Sequence, residues 1–143
     1  MLEKRADGSG VAQVLMEGGP LKSPTDWSRD GRYLVFTDQG AKTSLDIWFL
    51  PRDSPGRKPL PFFQWASNEF FARLSPDSRW MAYASDESGR SEVYVRPFPS
   101  GDGQWQISSG GGREPRWRGD GKELFFIPAD GNMMVAPVSS DST

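Results

Sequence analysis

Four charged side chains stand at related places in this chain of 143 residues. Asp26, Arg73 and Arg116 each come immediately before a large apolar residue, Trp27, Leu74 or Trp117. Glu114 stands two positions before Arg116. Successive side chains on a strand point to opposite faces, so the four charges share one face if the apolar residues share the other. Two arginines on such a face could hold an anion or a peptide carboxylate, because a guanidinium presents a fork of parallel donors. Pairing of these charges with one another and with water is the alternative. Other chemistry is narrowly bounded. The chain has no His and no Cys. That excludes a Ser-His-Asp or Cys-His nucleophile and leaves only carboxylates for a zinc ion, a poor donor set. The chain is therefore expected to be non-catalytic, with no cofactor and no metal.

The elements that must position these residues come from a repeat. Segments 25–36, 72–83 and 115–126 align, and their aspartates Asp30, Asp77 and Asp120 lie 47 and 43 residues apart. A four-stranded propeller blade occupies roughly 40–45 residues. Asp30-Gly31, Asp77-Ser78 and Asp120-Gly121 read as turns, since Asp bonds its own backbone two residues on and Gly tolerates positive φ. Calcium is a weaker reading of these aspartates. It needs six to eight converging oxygens, and they are spread one per repeat. Leu34/Phe36, Met81/Tyr83 and Leu124/Phe126 are apolar at alternate positions, with Val35, Ala82 and Phe125 between them. This strand is expected to be buried on both faces. A further strand follows each time, over 46–51, 92–97 and 132–137, each closing on a proline, which suits a strand end. Within the last of these, Met133 and Met134 are expected in the core. Weaker outer strands are expected within 58–63 and 104–107. Trp48, Trp65 and Trp105 could stack on sugars, but packing between blades is the default for Trp48 and Trp105. Trp65, in a linker, could cover a blade edge or meet a partner.

Blade 1 then spans about 23–63, blade 2 about 69–107 and blade 3 about 113–138. The third lacks an outer strand, while a surplus strand, 11–15, precedes the first and is followed by Gly18-Gly19 as Gly110-Gly111-Gly112 follows the second. The order is circularly permuted by one strand. Closed propellers have about 4–8 blades, and an open arc would expose apolar blade faces. Two copies placed head to tail about a two-fold axis would close a ring. The expectation is an all-β, six-bladed β-propeller formed by a homodimer, with strand 11–15 of each copy completing the third blade of the other. The rival is a fragment of a longer propeller.

Composition agrees with a folded domain whose core is aromatic: six Trp, nine Phe and three Tyr within a hydrophobic share of 36%. A net charge of −2 argues against a nucleic-acid partner. No apolar run approaches the roughly 20 residues of a membrane span, so no membrane partner is expected. Met1 to Gly10 lacks the apolar core of a signal peptide. The compartment stays unknown.

Trp27-Ser28-Arg29-Asp30-Gly31-Arg32 and Leu74-Ser75-Pro76-Asp77-Ser78-Arg79-Trp80 resemble the TolB-like (WD40-like) β-propeller repeat. The likeness covers about 11–138. Arg29 and Gly119 replace its usual turn Pro, and Ser78 its turn Gly. Val93-Tyr94-Val95-Arg96-Pro97-Phe98-Pro99, Gly111-Gly112-Arg113-Glu114-Pro115-Arg116-Trp117 and Lys122-Glu123-Leu124-Phe125-Phe126 are similar to the C-terminal propellers of bacterial Ser/Thr protein kinases. The chain has no nucleotide loop and neither His-Arg-Asp nor Asp-Phe-Gly, so no kinase chemistry is expected. The resemblance implies a scaffold for a protein or peptide ligand. Alternatives are an accessory or gating propeller of a larger hydrolase or kinase chain, and a structural half-propeller with no ligand.

Overall fold

Alternating and continuous apolar runs pair here as antiparallel sheets, in a computed structural model that describes residues 1–17, 22–40, 44–53 and 55–139. Two short strands, β1 (Leu2–Glu3) and β2 (Gln13–Val14), form an N-terminal ribbon. The first large sheet holds β3 (Lys22–Trp27), β4 (Tyr33–Gln39), β5 (Leu45–Pro51) and β6 (Leu60–Pro61), in that spatial order. The second holds β7 (Glu69–Leu74), β8 (Trp80–Ser85), β9 (Glu92–Pro97) and β10 (Trp105–Gln106) in the same order. The third has β11 (Arg113–Trp117), β12 (Glu123–Ile127) and β13 (Met134–Pro137), with β13 at its edge. Among the described residues there is no helix.

The second strand of each sheet is the core strand. Leu34, Val35 and Phe36 of β4, and Met81, Ala82, Tyr83 and Ala84 of β8, are all buried. Their alternate residues serve different neighbours. Val35 joins Ile47, Phe49 and Phe62 against Met81, Tyr83 and Phe98 of the second sheet. Ala82, Val93 and Val95 pack against Leu124 and Phe126 of the third. On the other side of the first sheet, Leu34, Phe36 and Leu50 meet Leu15 and Met16, which follow the ribbon. β12 departs from burial on both faces, because only Leu124 and Phe126 are buried and Phe125 is half-exposed.

The aspartate turns repeat in atomic detail. Asp30 Oδ1 accepts from Ser28 Oγ at 2.6 Å and from the Arg32 N–H at 3.0 Å, and Ser28 Oγ accepts from the Tyr33 N–H at 2.8 Å. Ser75, Asp77, Arg79 and Trp80 reproduce all three bonds, at 2.6, 3.1 and 3.0 Å. In the third sheet Arg118 stands in the serine place, and Asp120 keeps only the backbone bond, to Lys122 at 3.0 Å. No cluster of carboxylates able to hold a metal occurs among the described residues. Asp38 pairs with Lys22, and Asp86 accepts twice from Asn68.

A polar seam joins the first two sheets. Asn68 Oδ1 accepts from the Leu45 N–H at 3.1 Å, while Asp86 holds the Asn68 amide group at 2.7 Å. Beside it the carboxyl of Glu69 is fully buried. Its Oε1 accepts from Ser67 and Ser85, and its Oε2 has no hydrogen-bond partner among the described residues. Burial pushes this carboxyl up to about 7 against those two hydroxyls, and the charges of Asp46 and Asp86 add to the rise.

Several sequence expectations need correction. The N-terminal strand expected over 11–15 is confined to Gln13–Val14, and it pairs with Leu2–Glu3 of its own chain. Strand β1 had no signal in the sequence. Met133 and Met134 are exposed rather than in the core, since no strand among the described residues lies beyond β13. Trp105 is 43% exposed and rests edge-on against Trp80 instead of filling a space between sheets. Trp65 lies 4.5 Å from the Arg96 guanidinium, which Phe63 flanks at 4.8 Å. Gly18 and Gly19 lie outside the described residues.

Candidate functional site

The first strand of each large sheet carries one irregularity, and it falls beside the candidate residues. The pairing register shifts between Pro24 and Asp26, between Phe70 and Arg73, and between Arg113 and Arg116. Such a bulge opposes an extra residue to the neighbouring strand and re-aims the side chains next to it. In the second and third sheets the residue two before the arginine has positive φ, 58° at Phe71 and 53° at Glu114. Neither is glycine, so the backbone there is strained, which is a common mark of functional positions. No glycine announces these bulges, and the sequence gives no sign of them.

The bulges bring Asp26, Arg73 and Arg116 together. All three line one depression of about 170 Å³, with Trp27, Arg29 and Trp117 around it. Glu114 does not line it, but its charge acts on Arg73. Three of the four expected residues therefore converge, and the fourth lies outside the lining, 3.5 Å from the Arg113 guanidinium.

The partners differ from simple charge pairing. Asp26 is a clamp between sheets, its Oδ2 accepting from the Leu74 N–H at 2.7 Å and its Oδ1 from the Trp27 N–H at 2.8 Å. Trp117 makes the matching link one sheet later, its indole N–H donating to the Arg73 carbonyl at 3.0 Å. Arg73 and Arg116 each donate from Nη1 to the carbonyl of the preceding residue, Ala72 at 3.0 Å and Pro115 at 2.9 Å. Among the described residues neither guanidinium makes an ion pair. Burial, and then the positive charge of Arg116, lower the pKa of Arg73 from the ordinary arginine value; Asp26 and Glu114 act the other way. Two like charges held near each other, with donors to spare, favour an anion between them.

The apolar column that follows these charges is mixed. Leu74 is buried, Trp117 is half-buried, and Trp27 is 39% exposed with the Arg52 guanidinium 4.7 Å above its ring. Trp27 belongs to the rim of the depression as much as to packing.

No family model matches the chain, and no curated protein does. Solved structures do. A putative TolB from Agrobacterium tumefaciens superposes with a TM-score of 0.73 at 16% identity, over 90% of this chain and 53% of that one. TolB from Acinetobacter baumannii gives 0.69 at 19% identity, over 96% of this chain and 34% of that one. The β-propeller domain of the Trilobed protease from Pyrococcus furiosus, described as having an open velcro topology, gives 0.57 at 15%, over 82% and 40%. This chain thus spans about half, or less, of the length of the structures it matches. With its antiparallel sheets packed face to face in series, the chain has the fold of a TolB-like β-propeller.

Proposed function

We propose that the chain is a non-catalytic propeller scaffold that binds a protein or peptide through an anionic group held by Arg73 and Arg116. The observation that carries this reading is the pair of guanidiniums that border one depression with no ion pair among the described residues. We further propose that two copies close a six-bladed ring of three blades each. Two features support closure: β13 ends its sheet with an outer edge unpaired among the described residues, and Met134 and Val135 on it are exposed. In such a ring each copy's β2 would pair with the partner's β13, either along its second edge or by displacing Leu2–Glu3 from the first. The depressions of the two copies would then face one central channel.

Light scattering behind a sizing column tests closure. A single species at twice 15.9 kDa is expected, and a monomer at all concentrations would overturn it. Titration with an acidic peptide tests the site. The Arg73→Gln, Arg116→Gln double variant should weaken binding at least tenfold, and unchanged affinity would remove the arginines from the reading. A second reading is favoured by the likeness to a protease's propeller domain, of which this chain covers 40%. There the chain would be an accessory propeller of a larger hydrolase, or of a kinase as its repeat motifs suggest. A monomer that binds no peptide, encoded in frame with a catalytic domain, would support it.

A further inference from the structure

A groove of about 390 Å³ lies between the second and third sheets and adjoins the arginine depression at Ser75 and Pro76. Its floor includes Trp80, Val95, Ile107 and Val138. The repeat shows what these four positions do one sheet earlier. The Phe98 N–H donates to the Arg79 carbonyl and the Val138 N–H to the Lys122 carbonyl, each at 2.8 Å, so Phe98 and Val138 are equivalent. The Phe62 N–H donates to Ile47 and the Ile107 N–H to Val93, so Phe62 and Ile107 are equivalent. Phe49 and Val95 pair with Val35 and Ala82, and Tyr33 and Trp80 open their strands.

Between the first and second sheets this socket is full. The Phe98 ring sits 4.9 Å from Tyr33, 5.0 Å from Phe49 and 5.8 Å from Phe62, and Phe98 is only 6% exposed. Between the second and third sheets, three of the four rings are replaced by aliphatic side chains, with Val95 for Phe49, Ile107 for Phe62 and Val138 for Phe98. The groove is the space that those rings occupy one sheet earlier. Trp80 still lines one wall, and Trp105 stands against it at 5.5 Å.

We infer that this groove is a docking socket for one aromatic side chain of an extended partner peptide. The occupant's chemistry is that of Phe98, whose ring fills the equivalent place. Trp80 and Trp105 offer ring edges and faces to such a side chain. The rim adds no charge preference, since it carries two carboxylates, Asp77 and Asp120, beside two cations, Arg79 and Lys122, and the ring alone sets the recognition. The groove shares Ser75 and Pro76 with the arginine depression, but its apolar lining of Trp80, Val95, Ile107 and Val138 is its own, and neither Arg73 nor Arg116 enters the inference.

The test is an NMR titration of the full chain with acetyl-Asp-Phe-Pro-amide, following the indole N–H signals of Trp80 and Trp105. Saturable shifts in the millimolar range are expected, with acetyl-Asp-Ala-Pro-amide at least tenfold weaker. Val138→Phe supplies the missing ring from within; it should raise Tm and abolish the shifts. Trp105→Ala, an exposed position, should weaken the Phe peptide at least threefold, and it carries the test if the Val138 variant does not fold. No saturable shifts, equal binding of the Ala peptide, or full binding to both variants would overturn the socket.

Discussion

Glu69 is a carboxyl that the fold holds in its neutral form. Unfolded, it ionises near the ordinary 4.5; folded, it keeps its proton to about 7. Between those values the folded state binds more protons than the unfolded one. Its contribution to stability is therefore greatest below pH 4.5, falls as pH rises to about 7, and is constant above. Glu69→Gln removes the fall. At pH 8 the variant should be more stable by roughly 1–3 kcal/mol, read as a higher Tm, while the two proteins converge near pH 4.5. A variant that melts below the parent at pH 8 would show that Glu69 is ionised in the folded chain. The sequence conceals this behaviour, because Glu69 opens a strand like any solvated acid, and its burial and its bonds from Ser67 and Ser85 arise only in the fold. The candidate charges were partly legible for a related reason. Strand alternation predicts that Asp26, Arg73 and Arg116 share a face, and they line one depression. Alternation does not predict that Asp26 spends both oxygens on backbone N–H groups, nor that bulges at Phe71 and Glu114 set the arginines' direction.

At the scale of elements, linkers decide how one sheet follows another. Ser108 Oγ accepts from the Val93 N–H at 2.8 Å and donates to Glu92, whose other oxygen takes the Gly111 N–H at 2.9 Å. Burial raises the pKa of Glu92, but the bonds from Ser108, Gly111 and Arg90 outweigh it, and the carboxyl lies below the usual range. A Cβ on Gly112 would stand 2.4 Å from Ser108 Oγ and 3.0 Å from Val93 Cγ2. Gly112→Ala should cost roughly 1–3 kcal/mol, seen as a lower urea midpoint. Gly110→Ala, with nothing within 4 Å, should leave the midpoint unchanged. Equal effects at both sites would mean that backbone freedom, not contact, fixes this linker. Core strands were readable because aromatic and branched residues fill them. Outer strands shrank to two residues each, since their sequences carry prolines and polar residues that sustain little pairing. β1 escaped notice entirely, since Leu2–Glu3 is too short to show a period.

For the whole molecule, the sheets pack in series, and each apolar face needs a cover. Phe62 covers the second sheet and Ile107 the third; Leu15, 8% exposed, takes the comparable place on the first. Leu15→Ala should therefore cost about 2–4 kcal/mol of stability, while Val14→Ala, at a site 63% exposed, should cost little. If urea unfolding shows the two variants alike, the N-terminal segment does not sit on the first sheet in solution. The repeat spacing made this series of sheets legible; which segment covers the terminal face was not, because a strand's pairing partner is not written in its own residues.

The N-terminal ribbon places its edge in a competition. Leu2–Glu3 is tied to β2 by a short loop, so it meets that edge at an effective concentration of about millimolar. A strand from another molecule at micromolar concentration starts roughly a thousandfold behind. It wins only by adding something β1 lacks, such as a longer register or an apolar sheet laid over Leu34, Phe36 and Leu50. Association through this edge is therefore set by tether length and protein concentration together, and shortening the N-terminal segment would move the balance without altering a single contact in the three large sheets.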